Sequence, residues 1–300
     1  MNYEINVIFS CGVNAFLPAV DVWLVVDVLR ATTVITRWFE LGGSELFPVK
    51  NPDEAKILTQ NLKTSGSLPL LMGEVNGIPP EGFELGNSPL DLNNENVKNH
   101  SCAVMSTTNG TVALLEAYST GNPVLAVSFR NSSAVLDYAL SFGHKIGILC
   151  AGRRKNPGWD DIFCAGAIIK RLQALSNEKI LMTDSAKICL LVWETGLNDI
   201  QTCIKRSEHA TYLERIGYGS DIEFACQYDV STVVPMLFTD ENGRNFLKSV
   251  SGSSAPYKKN QVIKSQTQDL KFEELLQYTK SNTKLENYFF INKNSNKKGS

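Results

Sequence analysis

Apolar positions along this 300-residue chain gather in short, nearly unbroken runs, and helical spacing fills the intervals between them. The runs are Glu4 to Phe9, Val22 to Val26, Glu45 to Val49, Leu68 to Met72, Ala103 to Ser106, Val124 to Val127 and Lys145 to Leu149. Each has strand length, and an unbroken apolar run marks a strand buried on both faces. Helical patterns cover Pro52 to Leu62, which opens with Pro after Asn51, and then Thr111 to Tyr118, Ser132 to Ser141 and Asp161 to Leu175. This alternation predicts parallel strands joined by crossover helices, hence an α/β layered sheet. From about residue 176 the pattern turns more helical and could form a second lobe. A last apolar run, Thr232 to Phe238, predicts a returning strand closed by a turn at Asp240 to Gly243.

Four predicted strand ends carry polar chemistry. Val22 to Val26 runs into Asp27 and Arg30, and Thr32 and Thr33 open a helix. A carboxylate there can hold a hard metal, and an arginine can grip a phosphoryl or carboxylate group with two parallel bonds. The second loop, Gly73 to Pro89, holds four Gly and three Pro. Its Glu74 stands where a second carboxylate could meet Asp27, and Gly86, Asn87 and Ser88 suit a phosphate or sulfonate. The third loop, Ser106 to Thr111, places Thr107, Thr108, Asn109 and Gly110 at a helix start, where backbone N–H groups favour anions. The fourth, Cys150 to Asp161, ends in Asp160 and Asp161, which suit helix capping and also a magnesium ion held through water. Cys150 lacks the Arg six positions on that a phosphocysteine loop needs, since Asn156 is there. Asp27 lacks the second Asp two positions on that an aspartyl-phosphate motif needs, since Leu29 is there.

Composition narrows the classes. A net charge of -2 argues against bulk nucleic-acid binding. Charge is uneven, with nine Lys against four acidic residues after position 250. That polar tail, 251–300, predicts disorder at its end and one short amphipathic helix at Phe272 to Tyr278. Seven cysteines without a CxxC pair fit reduced, buried thiols in a cytoplasmic protein, and no zinc pattern stands among the three His. No signal peptide or membrane span is predicted.

Taken in order, VVDVLRATT, GEVNG with EGFELGNSP, STTNGT, CAG with a following DD, and SEHATYLERIGYGSDIEFACQYD resemble the 2-phosphosulfolactate phosphatase (ComB-like) family over about residues 3 to 238. The resemblance implies a three-layer α/β/α fold with a mostly parallel sheet, spanning residues 1–250. It also implies a magnesium-dependent phosphatase, acting on a small phosphorylated and sulfonated acid, without nucleic-acid or membrane partners. Self-association is a further possibility. On this reading Asp27, Arg30 and Glu74 are catalytic, and Asp27, Glu74, Asp160 and Asp161 hold magnesium. Asn87, Ser88, Thr107, Thr108, Asn109, Gly110 and Cys150 bind substrate. The family pattern also draws attention to Ser207, His209, Asp221 and Asp229, with Asp229 returning to the site. The chain departs from that pattern at Val75 and Val112, where many members carry Arg. Other small phosphorylated hydroxy acids, or anion binding without turnover, therefore stay open as alternatives.

Overall fold

The computed structural model describes residues 2–12, 17–176, 179–196 and 199–250. Two compact units divide the chain at Tyr257 and Lys258. All described residues lie in the first unit, and the tail lies outside them. The first half runs β1 (Tyr3–Ile8), β2 (Val22–Val26), α1 (Ala31–Glu40), β3 (Leu46–Val49), α2 (Pro52–Thr64), β4 (Pro69–Gly73), α3 (Asn94–Lys98), β5 (Cys102–Ser106), α4 (Gly110–Tyr118) and β6 (Val124–Val127). A short 3-10 turn at Phe129–Asn131 follows. Then come α5 (Ser132–Ala139), β7 (Lys145–Cys150), α6 (Trp159–Leu175), β8 (Ile180–Met182), α7 (Asp184–Thr195), α8 (Ile200–Ile204), α9 (Glu208–Arg215), α10 (Gly219–Ala225), β9 (Pro235–Thr239) and β10 (Asn245–Ser249).

Local chemistry explains these elements. All five residues of β2 are fully buried, as an apolar run without alternation requires. At α2, Asn51 Oδ1 accepts the Glu54 N–H at 2.9 Å, Pro52 opens the first turn, and Asp53 and Glu54 face the positive end of the helix dipole. The expected alternation of strand and helix is therefore present, in an α/β fold with a mixed, mostly parallel sheet.

The ten strands lie in the order β4-β5-β3-β10-β9-β6-β2-β7-β1-β8. Two parallel blocks, β4-β5-β3 and β6-β2-β7-β1-β8, are joined by the antiparallel hairpin of β9 and β10. The hairpin pairs with each block at one residue pair, Leu247 with Leu46 and Leu125 with Met236. Three successive antiparallel contacts leave the two blocks pointing in opposite senses. From β2 to β5 there are five strand-to-strand steps. A twist of roughly 25° at each accumulates to roughly 125° and turns the carboxyl ends of both blocks toward one another. Helix α4 fills the resulting fold, packed on β2 and β7 from one block and on β3 from the other. The main core is continuous across it, with Trp23, Val25 and Leu149 joined to Leu46, Met72 and Met105. The predicted returning strand is β9, and its turn leads into β10, which apolar runs alone do not reveal.

Candidate active site

Residues from the ends of β2, β4, β5 and β7 meet in one pocket, with a fifth wall from α9. Its lining includes Asp27, Arg30, Glu74, Asn76, Gly77, Asn87, Thr108, Asn109, Arg153, Arg154, His209 and Tyr212. Gly110 makes the junction possible. A Cβ there would lie 2.4 Å from the Ala31 Cβ and 2.5 Å from Asp27 Oδ2. Only glycine lets the start of α4 approach the end of β2 so closely. Gly110→Ala should displace α4 from Asp27, at a cost of about 1–3 kcal/mol and roughly ten- to a hundredfold in kcat. Melting and phosphate-release assays check this, and wild-type kcat in the variant would contradict the close contact.

Asp27 is 7% exposed. Its Oδ1 accepts the Ala31 N–H at 3.2 Å, and its Oδ2 takes no hydrogen bond from the described residues. Burial pushes its pKa up to about 7, opposed by the Ala31 N–H, with the nearby Asp160 and Glu74 charges adding to the rise. Burial likewise raises Asp160 to about 6, against backbone N–H groups and the Arg153 charge. Asp161 is raised well above the ordinary range by burial and by Asp160 and Asp27. Its carboxylate is already used: Oδ1 accepts from Val28 N–H and Oδ2 from Gly152 N–H, both at 2.9 Å. Asp161 therefore ties the loop after β2 to the loop after β7. Glu74 ties loops in the same way. It accepts the Gly77 N–H at 2.5 Å, the Thr108 N–H at 2.7 Å and the Thr108 hydroxyl at 3.1 Å.

Arg30 stands differently from the sequence expectation. Its Nη1 donates to Asp221 Oδ2 at 2.7 Å and its Nη2 to the Gly77 carbonyl at 2.9 Å, with the Tyr218 ring 4.3 Å away. Ser88 Oγ donates to the other Asp221 oxygen at 2.6 Å. The guanidinium is thus committed to holding the Gly73 to Pro89 loop against α10, and Ser88 is committed with it. Thr107 is bound to Thr111 at the head of α4 and does not line the pocket. Cys150 is fully buried and also off the pocket, with its thiol pKa raised well above the usual value by desolvation. Asn87 does line it, and its buried Oδ1 has no hydrogen-bond partner among the described residues.

Of the late residues, His209 enters the pocket, with Nδ1 3.8 Å from Asp160 Oδ2. Burial, reinforced by Arg153 and Arg30, lowers its pKa to about 3, so the ring is neutral at pH 7. Ser207 caps α9 through the Ala210 N–H at 2.9 Å. Asp229 does not return to the site. Its Oδ1 accepts from the Ser132 hydroxyl at 2.8 Å and the Ser133 N–H at 2.7 Å, so it caps α5. Val75 is 43% exposed beside the pocket, whereas Val112 packs on the core.

The pocket also contains residues that the pattern of the sequence did not single out. Two tight hairpins form its mouth. Val75 and Ile78 exchange both backbone bonds around Asn76 and Gly77, which have φ of 52° and 81°. Arg153 and Asn156 do the same around Arg154 and Lys155, at 52° and 62°. Two successive positive φ angles define the turn for which Asn-Gly is the favoured sequence. The Asn76–Gly77 pair is that signal, and it sits inside the quoted GEVNG. The Arg154–Lys155 pair carries no such signal. Tyr212 joins both hairpins: its hydroxyl donates to the Asn76 carbonyl at 2.8 Å, and Arg153 lies 4.9 Å above its ring.

Fold and site together define an α/β protein with a polar pocket walled by carboxylates and arginines at strand ends. Residues 14–240 match the family profile of 2-phosphosulpholactate phosphatase. A probable 2-phosphosulfolactate phosphatase of Deinococcus radiodurans is 35% identical over 218 residues, covering 72% of this chain and 88% of that protein. Those of Pseudothermotoga lettingae and Thermotoga maritima are 35% and 36% identical, over 73% and 71% of this chain and 90% and 88% of the relatives. The chain belongs to the 2-phosphosulfolactate phosphatase family and is a phosphoric monoester hydrolase. Among the described residues no helix is long and apolar enough to cross a membrane.

Proposed function

We propose that this chain is a magnesium-dependent phosphatase that hydrolyses 2-phosphosulfolactate to 3-sulfolactate and inorganic phosphate in the cytoplasm. The observation that carries the reading is the buried carboxylate of Asp27, with Oδ2 open, set against the first turn of α4 at Gly110. The substrate follows from the names of the relatives. All seven cysteines are free, which supports a reducing compartment.

Among the described residues no three His, Cys, Asp or Glu side chains gather into a ready-made metal cage. Magnesium does not need one, since it binds through one or two carboxylates, waters and substrate phosphate oxygens. Asp27 lines the pocket, and Asp160, buried just behind its lining, is close enough for its charge to raise the Asp27 pKa, so the two carboxylates fit that demand. Asp161 and Glu74 support them by fixing the loops. Magnesium, when bound, supplies a Lewis acid for the phosphoryl oxygens. The start of α4, at Asn109 and Gly110, offers backbone N–H groups to the same oxygens, while the Thr108 N–H is held by Glu74. In the hydrolysis, water adds its oxygen to phosphorus and the ester oxygen departs with a proton. Buried walls hold bulk water away from the reacting atoms.

A melting experiment tests the metal assignment. Asp27 and Asp160 have folded pKa values of about 7 and about 6, above the ordinary 3.8. The folded state therefore holds the extra protons between those limits. These groups favour folding fully near pH 4 and lose that contribution as pH rises to about 7. Magnesium should raise Tm clearly at pH 8, where both carboxylates are ionised, and little at pH 5, where protons compete. Phosphate release should stop with chelator and return with magnesium. Full turnover of the chelated enzyme, or equal magnesium shifts at both pH values, would contradict the assignment.

A further inference from the structure

Arg30 spends one N–H on Asp221 and one on Gly77, so a guanidinium in the pocket that is not already paired is better placed to hold a second substrate anion. Arg153 and Arg154 are the guanidinium groups that remain among the described lining residues. Arg154 spends one nitrogen on Asn76 Oδ1 at 3.5 Å. Arg153 is half-buried, stacked on Tyr212, and makes no side-chain hydrogen bond or ion pair with the described residues. A guanidinium lying on an aromatic face keeps its hydrogen-bonding edge free and pre-oriented.

The backbone supplies a second, independent observation. Arg154 and Lys155 both occupy the left-handed region, which L residues with long side chains adopt at a cost and Asn-Gly adopts readily. Such outliers persist at ligand clamps, where the surrounding structure over-determines them. Here the surroundings are explicit. The turn is closed by Arg153 N–H to the Asn156 carbonyl at 2.8 Å and the reverse bond at 2.9 Å. It is also pinned at Gly152, where a Cβ would lie 2.4 Å from the Asn156 carbonyl oxygen. This turn delivers Arg153 to the pocket wall beside Tyr212.

We infer that Arg153 is the specificity residue of this phosphatase: it binds the non-reacting acidic group of the substrate, a carboxylate or sulfonate, while the phosphoryl group lies at Asp27 and α4. The inference rests on the phosphatase reading above. The planar fork of Arg153 matches two oxygens of either acid, and burial against Tyr212 limits competition from water.

The test compares kcat/KM for three phosphomonoesters: one with a carboxylate alone (phospholactate), one with a carboxylate and a sulfonate (2-phosphosulfolactate) and one with neither (ethyl phosphate). Wild-type enzyme should favour the acid-bearing esters over ethyl phosphate by roughly 10- to 100-fold, the worth of a charge-assisted paired contact. In Arg153→Ala that preference should collapse toward parity, and Arg153→Lys should restore only part of it. A loss shared by both acids assigns the carboxylate to Arg153, and a loss confined to 2-phosphosulfolactate assigns the sulfonate. A wild-type preference near one, or an unchanged preference in both variants, overturns the assignment of Arg153. Absence of phosphate release from all three esters by the wild type contradicts the phosphatase reading instead. Each ratio is internal to one protein sample, so a change in the folded fraction does not alter it.

Discussion

Asp27→Asn should lower kcat by roughly a thousandfold or more, with the fold intact and magnesium binding weakened. Electrostatic stabilisation by a metal on the transferring phosphoryl group is worth several kcal/mol, and about 4 kcal/mol is a thousandfold. Asparagine keeps the size of the side chain and the acceptor for the Ala31 N–H, now 3.2 Å from Oδ1. It removes the charge that burial makes costly, since the Asp27 pKa is pushed up to about 7. The metal-free variant should therefore melt at or above the wild-type temperature at pH 8, and that gain should vanish at pH 5. Loss of turnover with gain of stability is a signature that general misfolding cannot imitate. A folded Asn variant with near wild-type kcat would place the chemistry elsewhere.

Asp221→Ala should be among the most destabilising single changes in the chain. The Arg30 and Asp221 side chains are each 2% exposed and paired at 2.7 Å. Removing one partner strands a buried charge, at a cost of about 3–5 kcal/mol. For a domain of this size that is a fall in Tm of roughly 10 °C. The variant also frees Ser88, which donates to Asp221 at 2.6 Å, and so loosens the Gly73 to Pro89 loop. KM and kcat should then worsen together. Replacing both ion-pair partners by apolar residues, Arg30→Met with Asp221→Leu, should recover most of the stability and little of the activity. If Asp221→Ala melts within about 2 °C of wild type, the pair is solvated and does not hold the loop.

What could be read in advance divides along physical lines. β2 and the start of α2 were legible because their signals are local: an unbroken apolar run, and Asn51–Pro52 ahead of two acids. The four strand-end loops were legible for the same reason, and Asp27, Glu74, Asn87, Thr108 and Asn109 do line one pocket. The commitment of Arg30 was not, because its partner Asp221 stands 191 positions away and no periodicity links them. Asp229 sits beside an apolar stretch as a site residue would, yet it caps α5, 96 residues earlier. β8 has three residues and β10 mixes polar with apolar ones, so neither makes an apolar run of strand length. Yet β10 and β9 set the relative sense of the two blocks, and through the accumulated twist they bring the site together. Arg153 escaped notice because its turn is built from Arg and Lys in a conformation that sequence rules reserve for Asn and Gly.

The most direct test of the central claim is a crystal structure of the enzyme grown with manganese and inorganic phosphate. Manganese shares magnesium's preference for oxygen ligands and is located by its anomalous scattering. The account predicts a metal peak roughly 2.1 Å from Asp27 Oδ2. It also predicts a phosphate between that metal and the first turn of α4, with Arg30 still bound to Asp221. A metal bound away from Asp27, with phosphate absent from the pocket, would contradict it.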